Sequence, residues 1–323
     1  MRRLLFIFTL FISFISTAQT VQTSINIPYS SGGTTYPSLL YLPNDYNTSG
    51  KRYPLLVFYH GAGEAGSNLA LIYNSATAGG PAYFIEHSGW DTSGYTNPMD
   101  GLKYKFIVIS PQRPGGWGWQ ASQLNYHIKY MIDNYRVDTS RIYTTGISAG
   151  GAGVFGYNIH YDYDAGASVT PFYKPAASVP MAPANTSPNQ TQANVAVADS
   201  IRFWGLGGAS DGYGDVVSTM RTLMNNTKPG IARVTRYSGG HCCWGTYYNP
   251  TYRESIKKAD SSSTVSMNIY EWMLQFARTD VGSGNSADPT ANAGSDQSLS
   301  LGTTSTTLSG SGTGGDGTIS SYA

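Results

Sequence analysis

Cysteine is almost missing from this chain of 323 residues: there are two, Cys242 and Cys243, and they are neighbours. Two cysteines cannot build a disulfide framework, and with no other thiol they lack the partners of a structural zinc or a dithiol redox site. As a vicinal pair they are either joined in a strained disulfide or left as two thiols, and the sequence leaves both open. Charge is scarce too, with Asp, Glu, Lys and Arg making up 12% of the residues and a formal net charge of +1. There is no basic stripe, so no nucleic-acid partner is expected. No His and Asp cluster has metal-ligand spacing, so neither metal nor cofactor is expected. What is abundant is glycine, 38 residues, and tyrosine, 25. Such a loop-rich, aromatic chain suits a substrate met by stacking and hydrogen bonds.

The chain opens "MRRLLFIFTLFISFISTAQT": two arginines, an apolar run too short to span a bilayer, then small residues to Ala18. Residues 1–18 read as a signal peptide, with no cysteine for a lipid anchor. Its removal takes two arginines and no acid, leaving 18 bases against 19 acids, a net charge of −1. A secreted product without a membrane anchor is expected. Residues 19–278 then form one domain, within the size that a single apolar core supports. Beyond Arg278 the composition turns to Gly, Ser and Thr. Residues 279–286 read as a linker and 287–323 as short strands.

Within the domain, apolar runs of four to eight residues recur at "YPLLVFYH" (53–60), "KFIVIS" (105–110), "RIYTTG" (141–146), "AASVPMA" (176–182), "IRFWGLGG" (201–208) and "ARVTRYSGG" (232–240). They do not alternate strictly, as befits strands buried on both faces of a parallel sheet. Helical spacing occupies 123–136, 149–161, 215–226 and 264–278. Strand and helix alternate, which specifies a doubly wound α/β architecture.

Gly146-Ile147-Ser148-Ala149-Gly150 is a G-x-S-x-G placed between a strand and a helix. A sharp strand-to-helix turn there would lift the Ser148 hydroxyl above the sheet, with glycines where strand and helix approach. A nucleophilic serine needs a base, an acid to orient it, and oxyanion donors. After Ser148 come Asp211 and Asp215, with Asp211 directly past a strand and Asp215 suited to cap the following helix. Asp211 is the favoured acid, and Asp215 stays open as the alternative. Beyond Asp211 only one histidine remains, His241, which is therefore the expected base. The backbone N–H of Ala149 and of Ala62, with Gly63 beside it, are the expected oxyanion donors, the latter from the loop His60-Gly61-Ala62-Gly63. Trp117, Trp119, Trp244 and Tyr247 fall on loops after strands, where they could stack on a substrate or simply pack the loops.

"LLVFYHGAGEAGSN", "FIVISPQRPGGWGW", "VDTSRIYTTGISAGGAGVF", "RFWGLGGASDGYGDVV" and "GGHCCWGTYYN" together resemble the secreted α/β-hydrolases of the predicted-peptidase, dienelactone-hydrolase-like, and feruloyl and acetyl-xylan esterase group. The resemblance covers about residues 30–278 and implies Ser148 as nucleophile, Asp211 as acid, His241 as base and Gly61-Ala62 at the oxyanion. A serine at 148 excludes the cysteine-based chemistry of dienelactone hydrolases proper. "ANAGSDQ", "LSGSGT" and "DGTISSYA" resemble the start of an immunoglobulin-like module of the PKD type. The expected function is a secreted serine carboxylic-ester hydrolase acting on a small ester or an acylated plant polysaccharide, feruloyl or acetyl. A serine peptidase on the same triad and a non-catalytic polymer-binding protein are the alternatives.

Overall fold

The computed structural model describes residues 21–28, 35–163, 166–171 and 173–280, with the backbone of Thr290–Asn292 and Ser311–Thr313, which pair antiparallel. The expected signal peptide, 1–18, and the rest of the expected linker and PKD-like segment lie outside the described residues.

Eight strands form the main sheet: β1 (Thr23–Pro28), β2 (Thr35–Tyr41), β3 (Tyr53–Tyr59), β4 (Ile107–Pro111), β5 (Val137–Ile147), β6 (Ala177–Met181), β7 (Arg202–Gly208) and β8 (Ala232–Tyr237). Their order across the sheet is β1-β2-β4-β3-β5-β6-β7-β8. Only β2 runs against the rest. The six strands β3 to β8, which pair in parallel with one another, are those marked by apolar runs. In β3, β4 and β6 every residue is buried, since helices cover both faces of the sheet.

Alternation along β3 shows the two layers. Leu55, Val57 and Tyr59 turn toward Leu124, Ile128 and Met131 of α2 (Ala121–Asn134) and Val154 of α3 (Ala149–Asn158). Leu56 and Phe58 turn the other way, toward Ala82 and Ile85 of α1 (Gly80–Glu86) and the aromatic residues of α6 (Trp244–Tyr248) and α7 (Ile269–Leu274). A third cluster packs α4 (Gln190–Ala198) and α5 (Gly212–Thr227) near Phe203 of β7.

The stretch 264–278, expected to be helical throughout, divides in two. Thr264–Met267 is a strand paired antiparallel with Glu254–Lys257. The helix begins only at Ile269, because the Asn268 side chain accepts the Glu271 N–H and caps it.

Register places the functional edge. Tyr59 lies opposite Gly146, Met181 opposite Ile147 and Leu206, and Gly208 opposite Tyr237. The residues that follow β3, β5, β6, β7 and β8 therefore emerge together along the carboxyl edge of the sheet.

Candidate active site

Ser148 is the residue between β5 and α3, and it has φ 52° and ψ −117°. A non-glycine residue there is strained by an order of 1–3 kcal/mol, so its surroundings must hold it. They do: the Ser148 N–H donates to the Met181 carbonyl at 2.9 Å, and the Ser148 carbonyl accepts from Ala152 at 2.9 Å and Ala184 at 3.2 Å. The flanking glycines are required by closeness. A Cβ on Gly150 would sit 2.0 Å from the Tyr59 carbonyl oxygen, and one on Gly146 would sit 2.6 Å from the carbonyl carbon of Gly150.

Asp211 and His241 arrive from loops after β7 and β8 that are joined by their backbones. Ala209 N–H donates to Tyr237 O at 2.7 Å and Ser210 N–H to Gly239 O at 2.9 Å. These bonds set the acid beside the histidine before any side chain is considered. The His241 Nδ1 lies 2.8 Å from Asp211 Oδ2, and His241 Nε2 lies 2.8 Å from Ser148 Oγ. Asp211 is buried, with its side chain 4% exposed, and its other oxygen accepts the Tyr213 N–H at 3.0 Å. It is thus the N-cap of α5 as well as the partner of His241. Asp215, expected to cap that helix, instead lies in its first turn with a side chain 79% exposed, paired to Arg236 at 2.8 Å.

The imidazole of His241 is held edge-on between Tyr213, at 5.2 Å between ring centres, and Trp244, at 4.9 Å. Immediately beyond it Cys242 and Cys243 are joined by a disulfide, so the pair that the sequence left open is bonded. Cys243 takes the left-handed conformation, φ 71°, directly before α6, and the Tyr237 hydroxyl donates to the Cys242 carbonyl at 2.7 Å. The disulfide therefore stiffens the turn between the histidine and a buried helix.

The loop after β3 reaches Ser148 through Gly61, where an added Cβ would lie 3.6 Å from Ser148 Cβ. Ala149, as the first residue of α3, has no carbonyl one helical turn back to receive its N–H. His60 fixes the loop from below. Its Nε2 accepts the Arg113 N–H at 3.0 Å, which leaves the proton on Nδ1 to donate to the Gly61 carbonyl at 2.6 Å. Burial lowers its pKa to about 4, so the ring is neutral near pH 7. Gln112 adds two further ties, to the Glu64 and Asn68 carbonyls.

Only Trp117 of the expected aromatic residues stands open, 46% exposed. Trp119 is buried against Tyr59, His60 and His127, and its indole N–H donates to the His60 carbonyl at 3.0 Å. The loop folds back so that this ring supports the glycine loop instead of offering a free stacking face. Trp244 and Tyr247 are buried as well, packed beneath His241 and against Tyr237. Trp117 and Trp119 border a cavity of about 220 Å³ with Gly118, Ala152, Tyr163, Ala184 and Asn185. Two of its lining residues, Ala152 and Ala184, donate their backbone N–H groups to the Ser148 carbonyl.

No family model and no curated protein sequence matches the chain. Among solved structures it is similar to a thermostable esterase, at 20% identity and a TM-score of 0.55, over 80% of this chain and 63% of that one. The chain thus spans less than two thirds of that esterase's length. It is also similar to a mutant feruloyl esterase module from Clostridium thermocellum complexed with sinapinate, at 14% identity and a TM-score of 0.50, over 80% of this chain and 88% of that one. The chain has the α/β-hydrolase fold.

In this α/β-hydrolase frame two residues that the sequence reading did not single out join the site. Tyr213 directly follows Asp211-Gly212, inside the stretch "ASDGYGDVV", with no motif to mark it. Asn185 lies beyond β6 with no motif of its own, yet its Oδ1 accepts the Tyr213 hydroxyl at 3.1 Å.

Proposed function

We propose that the chain is a serine carboxylic-ester hydrolase. The observation that carries this reading is the unbroken hydrogen-bonded line from Ser148 Oγ through His241 to a buried Asp211. His241 Nε2 takes the Ser148 proton as Oγ attacks the ester carbonyl, and Asp211 stabilises the imidazolium and fixes its orientation. The backbone N–H groups of Ala149 and Ala62 receive the charge that develops on the carbonyl oxygen. His241 then returns the proton to the leaving alcohol. Water, activated by the same histidine, releases the acid from the acyl-enzyme and regenerates Ser148.

The cavity lined by Trp117, Ala152, Ala184 and Asn185, two of whose residues bond the Ser148 carbonyl, supports an acyl group larger than acetyl. Feruloyl or related esters of plant polysaccharide suit it, and the leader-like N-terminus supports a reaction outside the cytoplasm. The test is a turnover panel with p-nitrophenyl acetate, methyl ferulate, acetylated xylan and peptide p-nitroanilides. Cleavage of esters without cleavage of anilides is expected. Cleavage of anilides alone would replace the reading with a peptidase, and cleavage of nothing would remove it.

A further inference from the structure

Around the proposed nucleophile the hydrogen bonds close into a ring. Ser148 Oγ meets His241, His241 meets Asp211, Asp211 accepts the Tyr213 N–H, the Tyr213 hydroxyl donates to Asn185 Oδ1, and the neighbouring Ala184 N–H returns to the Ser148 carbonyl. The first two links are the proposed triad. Tyr213 and Asn185 have no part in moving its proton, so their presence in the ring needs another reason.

Asn185 is unusually well fixed for an exposed loop residue. Its backbone is left-handed, φ 55°, a conformation that asparagine tolerates better than most side chains. Three bonds hold the loop: Ala182 N–H to Leu206 O at 2.8 Å, Ala184 N–H to Ser148 O, and the Thr186 hydroxyl to Pro183 O at 3.0 Å. With Oδ1 committed to Tyr213, the Nδ2 amide has no protein partner among the described residues. Asn185 also lines a cavity with Trp117, Ala152 and Ala184, and the last two bond the Ser148 carbonyl. A cavity of ~150 Å³ holds a benzene ring, so about 220 Å³ accepts one ring with small substituents.

We infer that Tyr213 and Asn185 form a substrate-reading pair, in which Tyr213 holds the Asn185 carboxamide so that Nδ2 donates to an oxygen substituent on the ring of an aromatic acyl group. The assignment rests on the esterase reading above. Trp117 supplies a stacking wall, and Asn185 distinguishes an oxygenated ring from a plain one.

The test compares methyl ferulate with methyl cinnamate, which lacks the ring oxygens. The wild-type protein is expected to favour the ferulate in kcat/KM by about threefold to tenfold, the range of one neutral hydrogen bond. Asn185→Gly keeps the left-handed backbone, and Asn185→Asp keeps the shape while exchanging donor for acceptor. Both should bring the ratio to about 1, mainly through KM. Tyr213→Phe should move it part of the way. A purely structural role would lower both substrates together and leave the ratio intact, which would overturn the assignment. Calorimetric titration of Ser148→Ala protein with free ferulate and free cinnamate, with and without Asn185→Gly, reads the same preference without turnover. Loss of the ferulate preference on Asn185→Gly supports the pair even if no ester is hydrolysed, in which case only the esterase reading fails. Turnover of both esters with neither ratio moved by the variants overturns the pair and leaves the esterase reading standing.

Discussion

Replacing Asp211 by asparagine separates its two tasks. The carboxamide oxygen would still accept the Tyr213 N–H, a contact now at 3.0 Å, and asparagine caps helices as well as aspartate does. Stability in urea should therefore stay within about 1 kcal/mol of the wild type. The amide nitrogen would then face His241 Nδ1, which now lies 2.8 Å from a carboxylate oxygen. Two N–H donors cannot share that contact, so the imidazole must turn Nδ1 into an acceptor and carry its proton on Nε2, pointing at Ser148 Oγ. The proposed base is then lost. In a serine triad this exchange lowers kcat by about 10⁴-fold, or about 5.5 kcal/mol at 1.36 kcal/mol per tenfold, and a loss of about 10³- to 10⁴-fold is expected. Asp215→Asn is the control. Its carboxylate is exposed and paired with Arg236, a type of contact worth ~0–1 kcal/mol, so activity should remain within about twofold. The assay is p-nitrophenyl acetate hydrolysis beside urea denaturation for both variants. Asp211→Asn retaining more than about a tenth of wild-type kcat, or Asp215→Asn losing as much as Asp211→Asn, would refute the assignment of the acid.

Two further outcomes follow from the same geometry. Reducing the Cys242–Cys243 bond, or replacing both residues by serine, should loosen the turn that aims His241. A displacement of about 1 Å can cost up to about 10²-fold in rate, whereas closing so short a loop contributes only about 1 kcal/mol to global stability. The expected result is a clear fall in kcat with little change in urea midpoint. An unchanged kcat after thiol titration has verified full reduction would contradict the role given to the disulfide. The second outcome concerns acid. Burial lowers the pKa of His60 to about 4 and of His127 to about 3, below the ordinary value near 6.5. Between those limits the unfolded chain binds protons that the folded chain does not, so stability is full above about pH 6.5 and falls as pH drops toward 4. Each histidine contributes about 1.4 kcal/mol per pH unit, roughly 2.7 for both. Urea denaturation at pH 7, 6 and 5 measures the slope, and a flat profile would contradict the burial of both rings as neutral groups.

The parallel strands were legible because burial on both faces writes an uninterrupted apolar run, as in "YPLLVFY". The first two strands were not, since Thr23–Pro28 is an edge strand with mostly polar, exposed positions that gain their partner only in the fold. Thr264–Met267 misled for a related reason: its apolar spacing continues into the helix behind it, and only pairing with Glu254–Lys257 makes it a strand. Ser148, Asp211 and His241 could be found because each follows a strand in chain order. Tyr213 and Asn185 are 28 positions apart and meet only because β6 and β7 are neighbours in the sheet. The tryptophans were left open between rim and packing. Position after a strand allowed either for Trp119 and Trp244, which are buried, because whether a loop aromatic faces outward or turns under its neighbours depends on packing that spacing does not record.

That Ser148 is an activated nucleophile is tested most directly by reaction of the intact protein with a fluorophosphonate probe, followed by peptide mapping, with Ser148→Ala in parallel. One probe per chain on Ser148 is expected, with no labelling of Ser148→Ala and an ester kcat lowered by about 10⁴-fold or more in a protein whose urea midpoint is retained. Labelling elsewhere, or ester turnover that survives Ser148→Ala, would contradict it.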